Sequence, residues 1–82
     1  MRKEKYNPHL KRLILEVVDN QIRDNTPPVT RETLNRLQSE GYTEQQAREK
    51  IAAEVIGDIY VMLKEYRPFN EADYTARLKA LK

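Results

Sequence analysis

Residues 43–67, TEQQAREKIAAEVIGDIYVMLKEYR, constrain the fold of this 82-residue chain more than any other stretch. From Ile51 to Leu63 only Glu54, Gly57 and Asp58 interrupt an apolar run, and no proline falls before Pro68. The stretch therefore reads as one helix of about seven turns at ~3.6 residues per turn. At that spacing Ile51, Ala52, Val55, Ile56, Ile59, Tyr60, Met62, Leu63 and Tyr66 cover roughly half the circumference, which is wider than the stripe of a surface helix. Such a helix needs neighbours on more than one side. The remaining segments read as three shorter helices that supply them.

Residues 1–7 are charged and aperiodic, and are expected to form a loose arm. Asn7 is the expected cap and Pro8 the first residue of a helix over about 8–24, since a first-turn proline loses no hydrogen bond. Leu10, Leu13, Ile14, Val17, Val18 and Ile22 recur at three and four along it. The run Asp24–Pro28 stops it, because Pro27 and Pro28 remove donors and restrict the residues before them. A second helix is predicted over about 31–40. Thr30 is its expected cap, Val29 and Leu34 have staple spacing, and Gly41 supplies the left-handed C-terminal residue. Tyr42 should fold back on Leu37. Thr43 and Gln46 form a T-x-x-Q capping box for the long helix, predicted over 44–66, with Tyr42 and Ala47 as a second staple. Lys64 and Arg67 suit its negative end. Asn70 caps a fourth helix over 71–81, with Phe69 and Tyr74 as a third staple and Tyr74, Leu78 and Leu81 as its apolar edge. The expected fold class is all-α, a single domain over 8–82 with the third helix central.

Charged residues make up 34% of the chain with signs interspersed, and the net charge is only +2, so nothing concentrates the field a nucleic-acid partner would need. The mean hydropathy of −0.86 suits a soluble domain with a thin core. No apolar run approaches the ~18 residues of a membrane span, and the N-terminal stretch lacks the unbroken apolar segment and cleavage site of a signal peptide. There is no cysteine, which excludes disulfides and thiolate metal sites and permits a reducing cytoplasm. A cytoplasmic protein is expected.

Several residues are candidates for chemistry. Glu54 and Asp58 stand four apart and share a helical face, where a carboxylate pair binds a cation or shares a proton; the plainer reading is a solvated stripe. Glu16, Asn20 and Gln21 form a polar group in the first helix, and Gln21 beside the apolar stripe suits a structural amide bonding the carbonyls of the following loop. His9 is the sole histidine and sits beside a cap. Neither paired E-x-x-H motifs nor H-E-x-x-H occurs, so no metal is expected. Ser39 is the sole serine, no G-x-S-x-G surrounds it, and the two glycines are too far apart to cradle a phosphate. No catalytic residue and no cofactor is expected. Tyr60, Met62 and Tyr66 are of the types enriched at protein interfaces, on a helix with more apolar face than three short helices cover. The reading is a non-catalytic interaction module, self-association along the third helix being its simplest form. The alternative is a domain that binds a ligand or cation through Glu16, Asn20, Gln21, Glu54 and Asp58.

The motifs N-P-H-L at Asn7–Leu10, V-V-D-N-Q-I at Val17–Ile22, R-L-x-x-x-G-Y at Arg36–Tyr42, I-A-A-E-V-I at Ile51–Ile56 and Y-x-x-R-L-x-x-L at Tyr74–Leu81 resemble an uncharacterised family of bacterial helical domains. The resemblance covers nearly the whole chain. It implies an all-α fold and a bacterial origin, and no mechanism. Members of that family carry histidines at positions similar to Lys11, Leu15, Gln45 and Glu49, so a metal site built on them would be missing here. Gly41-Tyr42 between two helices is similar to ubiquitin-associated domains, but the third helix is too long for that fold.

Overall fold

The computed structural model describes residues 8–82. Among them stand four helices and no strand: α1 Pro8–Asp24, α2 Pro28–Ser39, α3 Glu44–Glu65 and α4 Glu71–Ala80. The all-α architecture is as expected; the arm and the cap at Asn7 lie outside the described residues.

Each junction has a local chemical cause. At the end of α1, Asn25 takes a left-handed conformation (φ 55°). Its N–H bonds Ile22 O at 3.3 Å and that of Thr26 bonds Gln21 O at 3.0 Å, the Schellman pattern with asparagine in place of glycine. The helix is thus closed before the prolines are reached. Pro27 and Pro28 instead open α2, as its N-cap and first residue. The expected cap at Thr30 is therefore corrected: Thr30 lies inside α2, completely buried. Val29 is likewise a core residue of the helix and not the outer half of a staple.

At the next corner Gly41 has φ +109°, Gly41 N–H bonds Gln38 O and Tyr42 N–H bonds Leu37 O, each at 3.1 Å. Thr43 Oγ1 accepts from Gln46 N–H at 3.0 Å, and Gln46 Oε1 accepts from Thr43 N–H at 2.9 Å, the reciprocal capping box. Three residues between the last of α2 and the cap of α3 leave this turn little freedom. The α3 helix stops at Tyr66, left-handed (φ 55°) ahead of Pro68. Asn70 Oδ1 caps α4 by accepting from Asp73 N–H at 3.0 Å, and the Phe69 and Tyr74 rings meet at 5.6 Å as a staple.

The core gathers Ile14 and Val18 of α1, Val29, Leu34 and Leu37 of α2, Ala47, Ile51, Ala52 and Val55 of α3, and Tyr74 and Leu78 of α4. Both α2 and α3 touch all three other helices, so the centre is shared between them. Arg36 secures α4 from α2, donating to Leu78 O at 2.9 Å, which also accepts from Leu81 N–H, and to Leu81 O at 2.7 Å just past the helix.

The long helix is buried along its N-terminal half, whereas its C-terminal half meets α4 on one side only. Beyond Val55 the apolar residues Ile56, Ile59, Tyr60, Val61 and Leu63 are exposed, Leu63 at 74%, and Tyr66 beyond the helix at 93%. The apolar face of α3 thus exceeds what its three neighbours cover. The 22 residues of α3 extend ~33 Å, whereas the 12 of α2 and 10 of α4 reach ~18 and ~15 Å. The α1 stripe divides in the same way: Ile14 and Val18 are buried, while Leu10, Leu13 and Val17 are exposed.

Candidate functional site

Two features stand out, an open apolar face and a polar crevice beside it. The face is made by Leu10, Leu13 and Val17 on α1 with Ile56, Ile59, Tyr60 and Leu63 on α3. On α3 these four sit at i, i+3, i+4 and i+7, one side of a helix. Leu10 and Ile56 line a common groove of about 250 Å³ with Lys11, Leu15, Glu49, Ala52 and Ala53, which ties the two helices' exposed rows together. Scaled by the areas of large apolar side chains, the exposed fractions sum to roughly 700 Å², above the ~300–600 Å² of the largest patch on an ordinary monomer.

The groove's rim is charged. Glu49 meets Lys11 Nζ at 3.3 Å and accepts from Gln45 Nε2 at 2.9 Å. The Gln45 hydrogen bond first, and then Lys11, hold its carboxyl below the ordinary 4.5. Beside it Arg48 grips Asp19 of α1 with both arms of its guanidinium, at 2.8 and 2.7 Å, fixing the α1–α3 crossing. At the far end Lys64 lies over the Tyr60 ring at 5.6 Å. Of the three expected interface residues, Tyr60 belongs to this face. Met62 lines a crevice with Val17 and Ile59 at the edge of the face and with Phe69 and Tyr74, and Tyr66 lies past the helix end.

The polar crevice lies between the C-terminal half of α3 and the start of α4. Arg77 of α4 donates to Glu54 Oε1 at 3.1 Å and to Asp58 Oδ1. The expected carboxylate pair thus forms one face, and that face is occupied by an intramolecular cation. Asp58 Oδ2 is enclosed and has no hydrogen-bond partner among the described residues. The crevice, about 260 Å³, also takes in Glu65, Arg67 and Asp73; it is smaller than the ~300–1,000 Å³ typical of small-molecule sites.

Gln21 has a role that its sequence position only half reveals. Its Oε1 accepts from Thr30 Oγ1 at 2.8 Å and from Tyr74 OH at 3.0 Å, so it joins α1, α2 and α4 and does not bond the following loop as expected. Burial pushes the Tyr74 phenol above its ordinary 10.0. Glu16 and Asn20 are on the exposed side of α1. The five candidate polar residues therefore separate: Gln21 and Asp58 line one crevice and Glu54 adjoins it through Arg77, while Glu16 and Asn20 do not join them. His9 Nδ1 accepts from Arg12 at 2.9 Å, and no group of three or more His, Cys, Asp or Glu side chains among the described residues is placed to hold a metal ion. Lys11, Leu15 and Glu49 line one groove and Gln45 bonds Glu49, so these four residues are neighbours in space. Arg77 and Tyr74 OH were not legible as site groups. Tyr74 lies on the narrow buried edge of α4 and Arg77 half-buried beside it, and which helix they meet is a tertiary fact.

These features define a four-helix all-α domain with an uncovered apolar face. No helix is long and apolar enough to cross a membrane. No family model, curated protein or solved structure matches the chain.

Proposed function

We propose that this chain is a small non-catalytic protein-interaction module of the bacterial cytoplasm, docking through the apolar face shared by α1 and the C-terminal half of α3. One observation carries the reading: Leu10, Leu13, Val17, Ile56, Ile59, Tyr60 and Leu63 are exposed together on a domain with a small buried core. Leaving such an area in water forgoes about 25 cal/mol per Å² of burial, a force that favours any partner of matching shape. The polar groups support the same reading, because Arg77 already engages Glu54 and Asp58, and Gln21 is held by two hydroxyls. The absence of cysteine suits a reducing compartment.

The test is site-specific photo-crosslinking in the producing cell. A photoreactive residue at Leu63 or Leu13 is expected to give a discrete covalent adduct, and the same residue at Glu32, exposed on α2, none. Equal labelling from all three positions, or none from any, would refute the reading.

A further inference from the structure

Resting on that reading, we propose that the occupant of the face is a second copy of this chain, bound about a twofold axis so that the two α3 helices run antiparallel with the axis passing between Ile56 and Gly57. The first argument is area. The roughly 700 Å² on offer is close to the ~800 Å² that each partner contributes to a stable protein interface.

The second argument is that the stripe is complementary to itself. On one side of α3 lie Glu49, Ala53, Ile56, Gly57, Tyr60 and Lys64, at the spacings of a helix seam. Turned end for end about that axis, the stripe maps onto itself. Glu49 then meets Lys64 of the second copy, Ala53 meets Tyr60, and Gly57 meets Ile56. Each large residue faces a small one, and each terminal charge faces its opposite. An isologous contact requires this reciprocity, which a heterologous one does not.

The third argument is Gly57 itself. Glycine inside a helix is unfavourable, and here, the helix's own turn aside, nothing among the described residues comes within 4 Å of where a Cβ would stand. The fold gives no reason for it; close approach of another helix does. The same turn carries the projecting end of each α3, with Leu63, over Leu10 and Leu13 of the other copy. This follows because the N-terminal half of α1 flanks the part of α3 from Glu49 to Ile56.

Sedimentation equilibrium on the full chain tests this, with circular dichroism as the control for folding. The wild type is expected to be a dimer. Gly57→Leu, which has open space within one chain and a better helix former, should keep full helicity and lose association about tenfold or more. Glu49→Lys and Lys64→Glu should each weaken the dimer by about two- to fivefold, and the double exchange should restore it. A wild type that stays monomeric at all concentrations, a Gly57→Leu protein that dimerises as before, or a double exchange no better than the singles would each overturn the proposal. A monomer whose Leu63 photo-adduct contains a different polypeptide removes the second copy and leaves the docking surface standing. A monomer with no adduct removes both.

Discussion

Isoleucine 51 and leucine 63 occupy one helix with similar chemistry, and truncating each to alanine measures how far the packed part of α3 extends. Ile51 is wholly buried in the core, whereas Leu63 is 74% exposed. Ile51→Ala should cost ~2–5 kcal/mol, the lost transfer free energy plus the cavity left behind. For a domain of this length the whole stability is ~4–12 kcal/mol, so the loss is a large fraction of the total. Leu63→Ala removes a side chain only about a quarter buried. At ~1.5–3 kcal/mol for complete burial of a leucine, that is about 0.5 kcal/mol. Alanine's slightly better helix propensity offsets part of it.

Urea titration in dilute solution, where self-association is suppressed, reads both. With a slope of about 1 kcal/mol/M, Ile51→Ala should lower the midpoint by ~2 M or more and Leu63→Ala by less than ~0.5 M. Equal shifts would show that the end of α3 is packed within one chain, and the open face would have to be abandoned. At high protein concentration the Leu63→Ala deficit should grow, because a dimer adds stability by mass action.

Three further substitutions test the fold's internal joints. Thr30→Asp should destabilise by ~3 kcal/mol or more, since it places a carboxylate in a buried site beside Gln21 Oε1; were Thr30 a helix cap, aspartate would be tolerated, and thermal unfolding at pH about 7 separates the two. Tyr74→Phe should flatten the alkaline loss of stability. The folded phenol ionises above the ordinary 10.0, so its contribution is intact below pH 10 and is lost as pH rises through the folded value; urea titrations at pH about 9 and about 11 compare the slopes. Gly41→Ala should cost ~1 kcal/mol or more through its backbone alone, because φ is +109° and nothing lies within 4 Å of the new Cβ. An unchanged midpoint would remove the Schellman turn as the reason for that glycine.

The parts of the fold that were legible in the sequence are those decided within a few residues. The Thr43–Gln46 box, the Gly41 turn, the Asn70 cap and the Phe69–Tyr74 staple all form as their spacing indicates. Threonine before a charged run looks like a cap, yet the stripe Thr30, Thr33, Leu34, Leu37 continues back to Val29, and at Thr30 this period outweighs the residue type. The candidate site was less legible. That Glu54 and Asp58 share a face follows from their spacing, but that Arg77 occupies it depends on how α4 lies against α3. Likewise Gln21 was marked as a buried amide, while its partners come from residues 9 and 53 positions away along the chain.

The overhang of α3 follows from helix lengths that local signals already set. Thr43 and Pro68 make α3 long; Pro28 with Gly41, and Asn70 with Ala80, make α2 and α4 short. The short loops set α2 beside the N-terminal end of α3 and α4 beside its C-terminal end, each against one side, so the side of the C-terminal half turned away from α4 is left bare. A projecting segment that had only to be soluble would alternate with charge, as the outer side of α1 does with Glu16, Asn20 and Arg23. Instead, residues 59–63 read I-Y-V-M-L. Apolar composition that the fold itself leaves uncovered is the ground of the proposed docking surface, and the self-complementary order of residues 49–64 is the ground for proposing a second copy on it.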